Sequence, residues 1–159
     1  MIGLLVIAHA PLASALLQCA RHVYTCAPSL CDQSAPLDVL PDANTDAAAD
    51  AARTLCASLD SGQGVLVLTD LFGATPANVA TQLARTAPGQ RIEVVCGVNL
   101  PMLLRALSYR GNMDLSLLVE KVMSGAGAGI VKVASNAPQN QQLPIPDANH
   151  ANARMYDHQ

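Results

Sequence analysis

Gly3-Leu-Leu-Val-Ile-Ala8, followed by His9-Ala10-Pro11, decides how this chain folds. An unbroken aliphatic run suits a strand buried on both faces, as in a parallel sheet. A half-exposed strand would alternate apolar with polar residues instead. His9 is the first titratable residue after the run. Pro11 fits the first turn of a helix, where a missing N–H removes no hydrogen bond. From Leu12 to Tyr24 apolar residues recur at helical spacing, at Leu12, Leu16, Cys19, Ala20 and Val23. The first 24 residues therefore read as strand, turn and helix.

The same grammar continues outward, although no internal sequence repeat accompanies it. A Pro- and Ser-containing stretch from Ala27 to Pro36 leads to a short strand, Leu37-Asp-Val-Leu40. Pro41-Asp-Ala-Asn-Thr45 turns into a helix over Ala47 to Leu59, with Ala48, Ala51, Ala52, Leu55 and Leu59 on one face. Ser61-Gly-Gln-Gly64 ends that unit, and Val65-Leu-Val-Leu68 is a third strand. It runs into Thr69-Asp-Leu-Phe-Gly-Ala-Thr-Pro76, where Thr75 is expected to cap a helix beginning at Pro76 and passing through Val79, Ala80, Leu83 and Ala84. After a turn at Pro88-Gly-Gln90, Ile92 to Cys96 is a fourth strand. Gly97-Val-Asn-Leu-Pro101 links it to a helix ending near Tyr109, and Leu115 to Met123 is a further helix. Gly125 to Gly129 reads as a flexible break before an alternating strand, Ile130 to Ala134. Residues 1–134 thus form one domain, and the polar residues 135–159 read as a flexible tail. The alternation predicts a three-layer α/β/α fold with a mostly parallel, doubly wound sheet of order 2-1-3-4.

Composition agrees and excludes several function classes. The chain has 159 residues, 51% of them hydrophobic, 13% charged and 3% aromatic, with many alanines. That is too apolar for a wholly disordered chain, and the length suits one domain. Nine Lys and Arg against twelve Asp and Glu give a net charge of −3, so nucleic acid is not an expected partner. No run of about 18 apolar residues occurs, so no direct membrane insertion is expected. Met1 to Ala8 lacks the basic start of a signal peptide, and a cytoplasmic location follows as the expectation. Cys19, Cys26, Cys31, Cys56 and Cys96 are odd in number and include no CxxC pair. His22 and Cys26, four apart on a helix, have no second ligand pair to complete a metal site. Neither metal nor other cofactor is expected.

Doubly wound sheets bind ligands beyond the carboxyl ends of their strands, where the strand order reverses. In order 2-1-3-4 that point lies between the first and third strands, which makes His9 and Asp70 neighbours. An imidazole nitrogen can attack a phosphoryl group while a carboxylate on the other ring nitrogen fixes the tautomer and steadies the cationic ring. Helices starting near Pro11 and Thr75 are expected to aim free N–H groups at the phosphate. No Arg or Lys lies in either loop, so backbone amides would carry that role.

Three blocks carry the argument to a family. They are Leu4-Leu-Val-Ile-Ala-His9, Leu68-Thr-Asp-Leu-Phe-Gly-Ala-Thr-Pro76 followed by Asn78, and Gly97-Val-Asn-Leu-Pro-Met-Leu103. In this order and spacing the chain resembles the enzyme IIA component of the mannose family of the bacterial sugar phosphotransferase system, over roughly residues 1 to 134. The resemblance implies that His9 accepts a phosphoryl group from the phosphocarrier protein HPr and that Asp70 orients it. Ala10, Pro11, Phe72, Gly73, Thr75, Asn99, Leu100, Pro101 and Met102 match positions that bind the phosphate or line the site, with Ala10 standing where the family often has Gly. It further implies a homodimer in which Ile130 to Ala134 is exchanged as an antiparallel edge strand, hinged at the preceding glycines. No IIB domain follows before Gln159, so a separate IIB protein or a regulatory target is the expected recipient. The phosphotransfer subunit of a dihydroxyacetone kinase is a related alternative, and an aspartate-phosphorylated receiver domain is a more distant one. A receiver needs further carboxylates after its first strand to bind Mg²⁺, where this chain has His9-Ala-Pro11.

Overall fold

A computed structural model describes residues 1–134; the expected tail, residues 135–159, lies outside the described residues. Four strands form one sheet: β1 (Gly3–His9), β2 (Ser34–Val39), β3 (Val65–Thr69) and β4 (Ile92–Cys96). All pairings are parallel and the order is β2-β1-β3-β4, as the strand–helix alternation predicts. Five α-helices cover the sheet: α1 (Leu12–Val23), α2 (Thr45–Leu59), α3 (Thr75–Thr86), α4 (Leu100–Tyr109) and α5 (Leu115–Ala128).

The alternation of side chains along β1 divides the core in two. Leu4, Val6 and Ala8 pack with α1, α4 and α5, whereas Leu5 and Ile7 pack with α2 and α3. Both layers are built largely from Ala, Val and Leu, so helices lie close to the sheet. On α1 the expected apolar face is right at Ala20 and otherwise displaced by about one residue. Ala13, Leu17 and Ala20 are the buried positions, while Leu12, Cys19 and Val23 face solvent. The small Ala13 and Ala20 let the helix approach β1, which larger side chains would prevent. On α2, likewise, Ala49 and Cys56 are buried in place of the expected Ala51 and Leu55.

β2 begins three residues earlier than Leu37 and ends before the exposed Leu40. The strand therefore takes in Pro36, the end of the expected Pro- and Ser-containing stretch. Pro36 pairs with Val6 on the sheet's outer strand, where a proline's missing N–H can face away from the ladder.

The largest departure lies at the carboxyl end. The expected break at Gly125 to Gly129 is not a break, because α5 runs through Ala128. A Cβ at Gly125 would collide with the Arg105 guanidinium, and one at Gly129 with the Pro101 ring. These glycines therefore let α5 press against α4 and bring residue 129 beside the start of α4. Among the described residues no strand pairs with Ile130 to Ala134, so the expected last strand is not formed there, and Ile130, Val131 and Val133 are exposed.

At the opposite end of the sheet, the guanidinium of Arg110 is fully buried. It donates to the backbone carbonyls of Gln33 and Leu30, each at 2.8 Å, and also to that of Asp32. This clasp ties the end of α4 to the entry of β2, fixing the edge strand that carries Asp38.

Candidate functional site

The carboxyl ends of β1 and β3 lie side by side, since Ile7 pairs with Thr69. His9 is the last residue of β1 and Asp70 follows directly on β3. Asp70 Oδ2 accepts the backbone N–H of His9 at 2.9 Å and lies 2.7 Å from His9 Nδ1. Its other oxygen, Oδ1, accepts the N–H of Leu71 at 2.8 Å. A carboxylate only accepts, so Nδ1 carries the proton and the neutral ring keeps its lone pair on Nε2. The imidazole is half exposed, with 50% of its side-chain surface open, while that of Asp70 is 13% open. Partial burial pushes the Asp70 carboxyl up. The N–H groups of His9 and Leu71 and the His9 ring outweigh that and bring it below its ordinary value.

The other expected residues divide between the site and its supports. Phe72, Gly73 and Thr75 lie on the turn from β3 into α3, and Phe72 is 86% exposed, its ring directed to solvent beside the site. Gly73 adopts φ +82°, a conformation that favours glycine, and nothing stands within 4 Å of where a Cβ would be. The cap of α3 is Ala74 rather than Thr75, and Pro76 is the second helical residue. Alanine offers no side-chain acceptor, so the helix begins uncapped. Among the described residues, the N–H groups of Phe72, Gly73, Thr75 and Ala77 have no partner.

The third loop supports the site rather than presenting polar groups to it. Gly97 and Val98 donate to the carbonyls of Asp70 and Thr69, at 2.8 and 2.9 Å. Asn99 caps α4 by accepting the Met102 N–H at 2.9 Å. Met102 is buried in the core, Leu100 is half-buried, and Pro101 lies under Gly129.

The β1–α1 turn departs from expectation most. Pro11 caps α1 instead of opening it, and the first helical residue is Leu12. The α1 amides are not free. Asp38 Oδ1 accepts the N–H of Ala13 at 3.0 Å and of Ser14 at 3.2 Å, and its Oδ2 accepts the Ser14 hydroxyl. Ala10 N–H donates to Val39 O and Ala15 N–H to Pro11 O, each at 3.0 Å. Among the described residues, Leu12 alone keeps an unpartnered N–H on this side. Sequence reasoning had placed Asp38 inside a strand and given it no role. The available signal was an acidic residue near the end of the strand that neighbours β1.

The chain is thus a doubly wound α/β protein with an imidazole braced by a carboxylate at the switch point of its parallel sheet. The model of the PTS system fructose IIA component family, EIIA-man, matches residues 3–123, and the chain belongs to that family. It is 36% identical over 95 residues to YadI of Escherichia coli, a match covering 58% of this chain and 62% of YadI. It is 30% identical over 117 residues to the mannose-specific EIIAB component of the same species, covering 70% of this chain but 34% of that protein. The chain thus spans less than two thirds of these relatives' lengths. The crystal structure of an EIIA component from Streptococcus agalactiae superposes with a TM-score of 0.74 at 26% identity, covering 83% of this chain and 97% of that one. Among the described residues no helix is long and apolar enough to cross a membrane.

Proposed function

We propose that this chain is a phosphocarrier of the sugar phosphotransferase system, working in the cytoplasm, with His9 as the group that carries the phosphate. The observation behind this reading is the 2.7 Å contact of His9 Nδ1 with Asp70, which leaves Nε2 as the free nucleophile of a half-exposed ring. In the forward step, Nε2 bonds to phosphorus as the bond from phosphorus to the donor's histidine nitrogen breaks. The donor imidazole leaves with that electron pair. His9 keeps its Nδ1 proton toward Asp70, whose charge offsets that forming on the ring. The donor is phospho-HPr, and the recipient is a IIB protein or a regulatory target. Unpartnered amides at Phe72, Gly73, Thr75 and Ala77, with the Thr75 hydroxyl, receive the phosphoryl oxygens. The same reading makes the exposed Ile130, Val131 and Val133 a strand for a second copy of the chain.

Asp70 as a receiver-type phosphate acceptor is disfavoured because both its oxygens already accept hydrogen bonds. The test is phosphorylation by phosphoenolpyruvate, enzyme I and HPr. The wild-type chain gains a base-stable, acid-labile phosphate, and His9→Ala gains none. Acid-labile phosphate on the alanine variant overturns the assignment of His9. A base-labile phosphate on the wild type returns Asp70 as acceptor.

A further inference from the structure

We propose that Asp38 is a positioning residue that makes the site one-sided and so keeps the phosphoryl group on His9 easy to transfer. This rests on the reading of His9 as the phosphate carrier. Asp38 follows Leu37 on β2 and pairs in register with Ala8, the residue before His9. Its carboxylate spans the first turn of α1, taking the Ala13 and Ser14 amides on one oxygen and the Ser14 hydroxyl on the other.

The amides at the start of a helix are where an incoming phosphate dianion would be held. At α1 a carboxylate of the chain itself occupies that place. It withholds those donors from the phosphoryl group and adds a fixed negative charge beside β1. The amides of α3 remain open, whereas at α1 Leu12 alone among the described residues keeps a free N–H, so stabilisation reaches the phosphoryl group mainly from the Asp70 side. A carrier must release what it accepts, and an anion clamped by two helix starts would be held too firmly to pass on. Asp38 therefore acts through α1 and the backbone of His9, without touching the reacting atoms.

Asp38→Asn tests this, because the amide oxygen still accepts from Ala13 and Ser14 while the charge is lost. Purified phospho-HPr is mixed with each variant and the equilibrium constant for phosphoryl exchange is measured by phosphorus NMR. Asp38→Asn is expected to shift the equilibrium about fivefold toward the phosphorylated chain and to slow return to HPr by a similar factor. Asp114→Asn is the matched control. Asp114 caps α5 by accepting the Leu117 N–H at 3.0 Å, beyond the other end of the sheet, and its loss should leave the constant unchanged. A merely structural Asp38 would alter thermal stability and leave the constant where it was. A constant within twofold of wild type, or a shift toward HPr, overturns the proposal while leaving His9 as carrier intact. A wild-type chain that takes no phosphate on His9 overturns the reading beneath it.

Discussion

The β1–α1 and β3–α3 turns have nearly the same sequence grammar and opposite chemistry. Each follows a buried aliphatic strand, places a titratable residue first and a proline at the next helix start, His9 and Pro11 in one, Asp70 and Pro76 in the other. At α1 the neighbouring strand supplies a carboxylate and the amides of Ala13 and Ser14 are consumed. At α3 the cap is an alanine and, among the described residues, four N–H groups of the turn and first helical residues stay open. A helix start is therefore an anion site only where no side chain of the fold reaches it first. The neighbour across the sheet decides that, not the turn's own residues.

Asp70→Asn attacks the link between the two turns and carries the largest expected effect. The amide group must turn an NH₂ toward a donor that now meets an oxygen, either Leu71 N–H or the His9 backbone and ring. Nε2 is then no longer secured as the free nitrogen. The rate of phosphoryl uptake from phospho-HPr should fall about 10²-fold. A rate within threefold of wild type removes Asp70 from the mechanism. The same variant has a pH signature. The folded-state value of Asp70 lies below its ordinary 3.8, so its contribution to stability is present above that pH. It is lost as pH falls through the lower folded value. Thermal melts should show wild type and Asp70→Asn converging in stability below about pH 4 and separating above it. A gap that is constant with pH contradicts the bond.

Ala74→Asp would erase the difference between the turns. Ala74 has the extended backbone of a helix cap, φ −82° and ψ 169°, and the Ala77 N–H is free to be accepted. The new carboxylate copies at α3 what Asp38 does at α1. The fold should gain about 1 kcal/mol, read by denaturant melts. Phosphorylation should slow about tenfold as the seat fills with a fixed charge. A more stable variant that is phosphorylated at the wild-type rate shows that the α3 amides do not receive the phosphoryl group.

What the sequence disclosed follows from how local each signal is. β1 and β3 were legible because a both-faces-buried strand needs only its own aliphatic run, and the outer strand β4 because Ile92, Val94 and Val95 are strand formers set between a turn and a glycine. The His9–Asp70 juxtaposition was legible because both residues end such runs, and the order of strands then makes them neighbours. β2 was blurred because Pro36 is acceptable only on an outer strand, a fact about the sheet. The helical state of Gly125 to Gly129 was hidden because it depends on contact with Arg105 and Pro101. Asp38 was hidden for the same reason. Its role depends on the register of β2 with β1 and on α1 starting one residue later than Pro11 suggests. The reading of free amides at α1 failed there, since a capping side chain can come from 25 residues away.

Gly73→Ala probes the open turn with the smallest expected effect. Gly73 holds φ +82°, and no atom lies within 4 Å of the added methyl. Any cost is therefore backbone strain alone, about 1 kcal/mol in stability. Relief of that strain would rotate the peptide between Phe72 and Ala74 and misdirect the amides beside it, slowing uptake about threefold. At Gly127 on α5, which also has open space around it but lies in the helical region, alanine should stabilise by a few tenths of a kcal/mol and leave uptake unchanged. Equal effects at the two glycines would mean that the conformation of the β3–α3 turn does not matter to phosphate uptake. The open side of the site would then rest on the Thr75 and Ala77 amides alone.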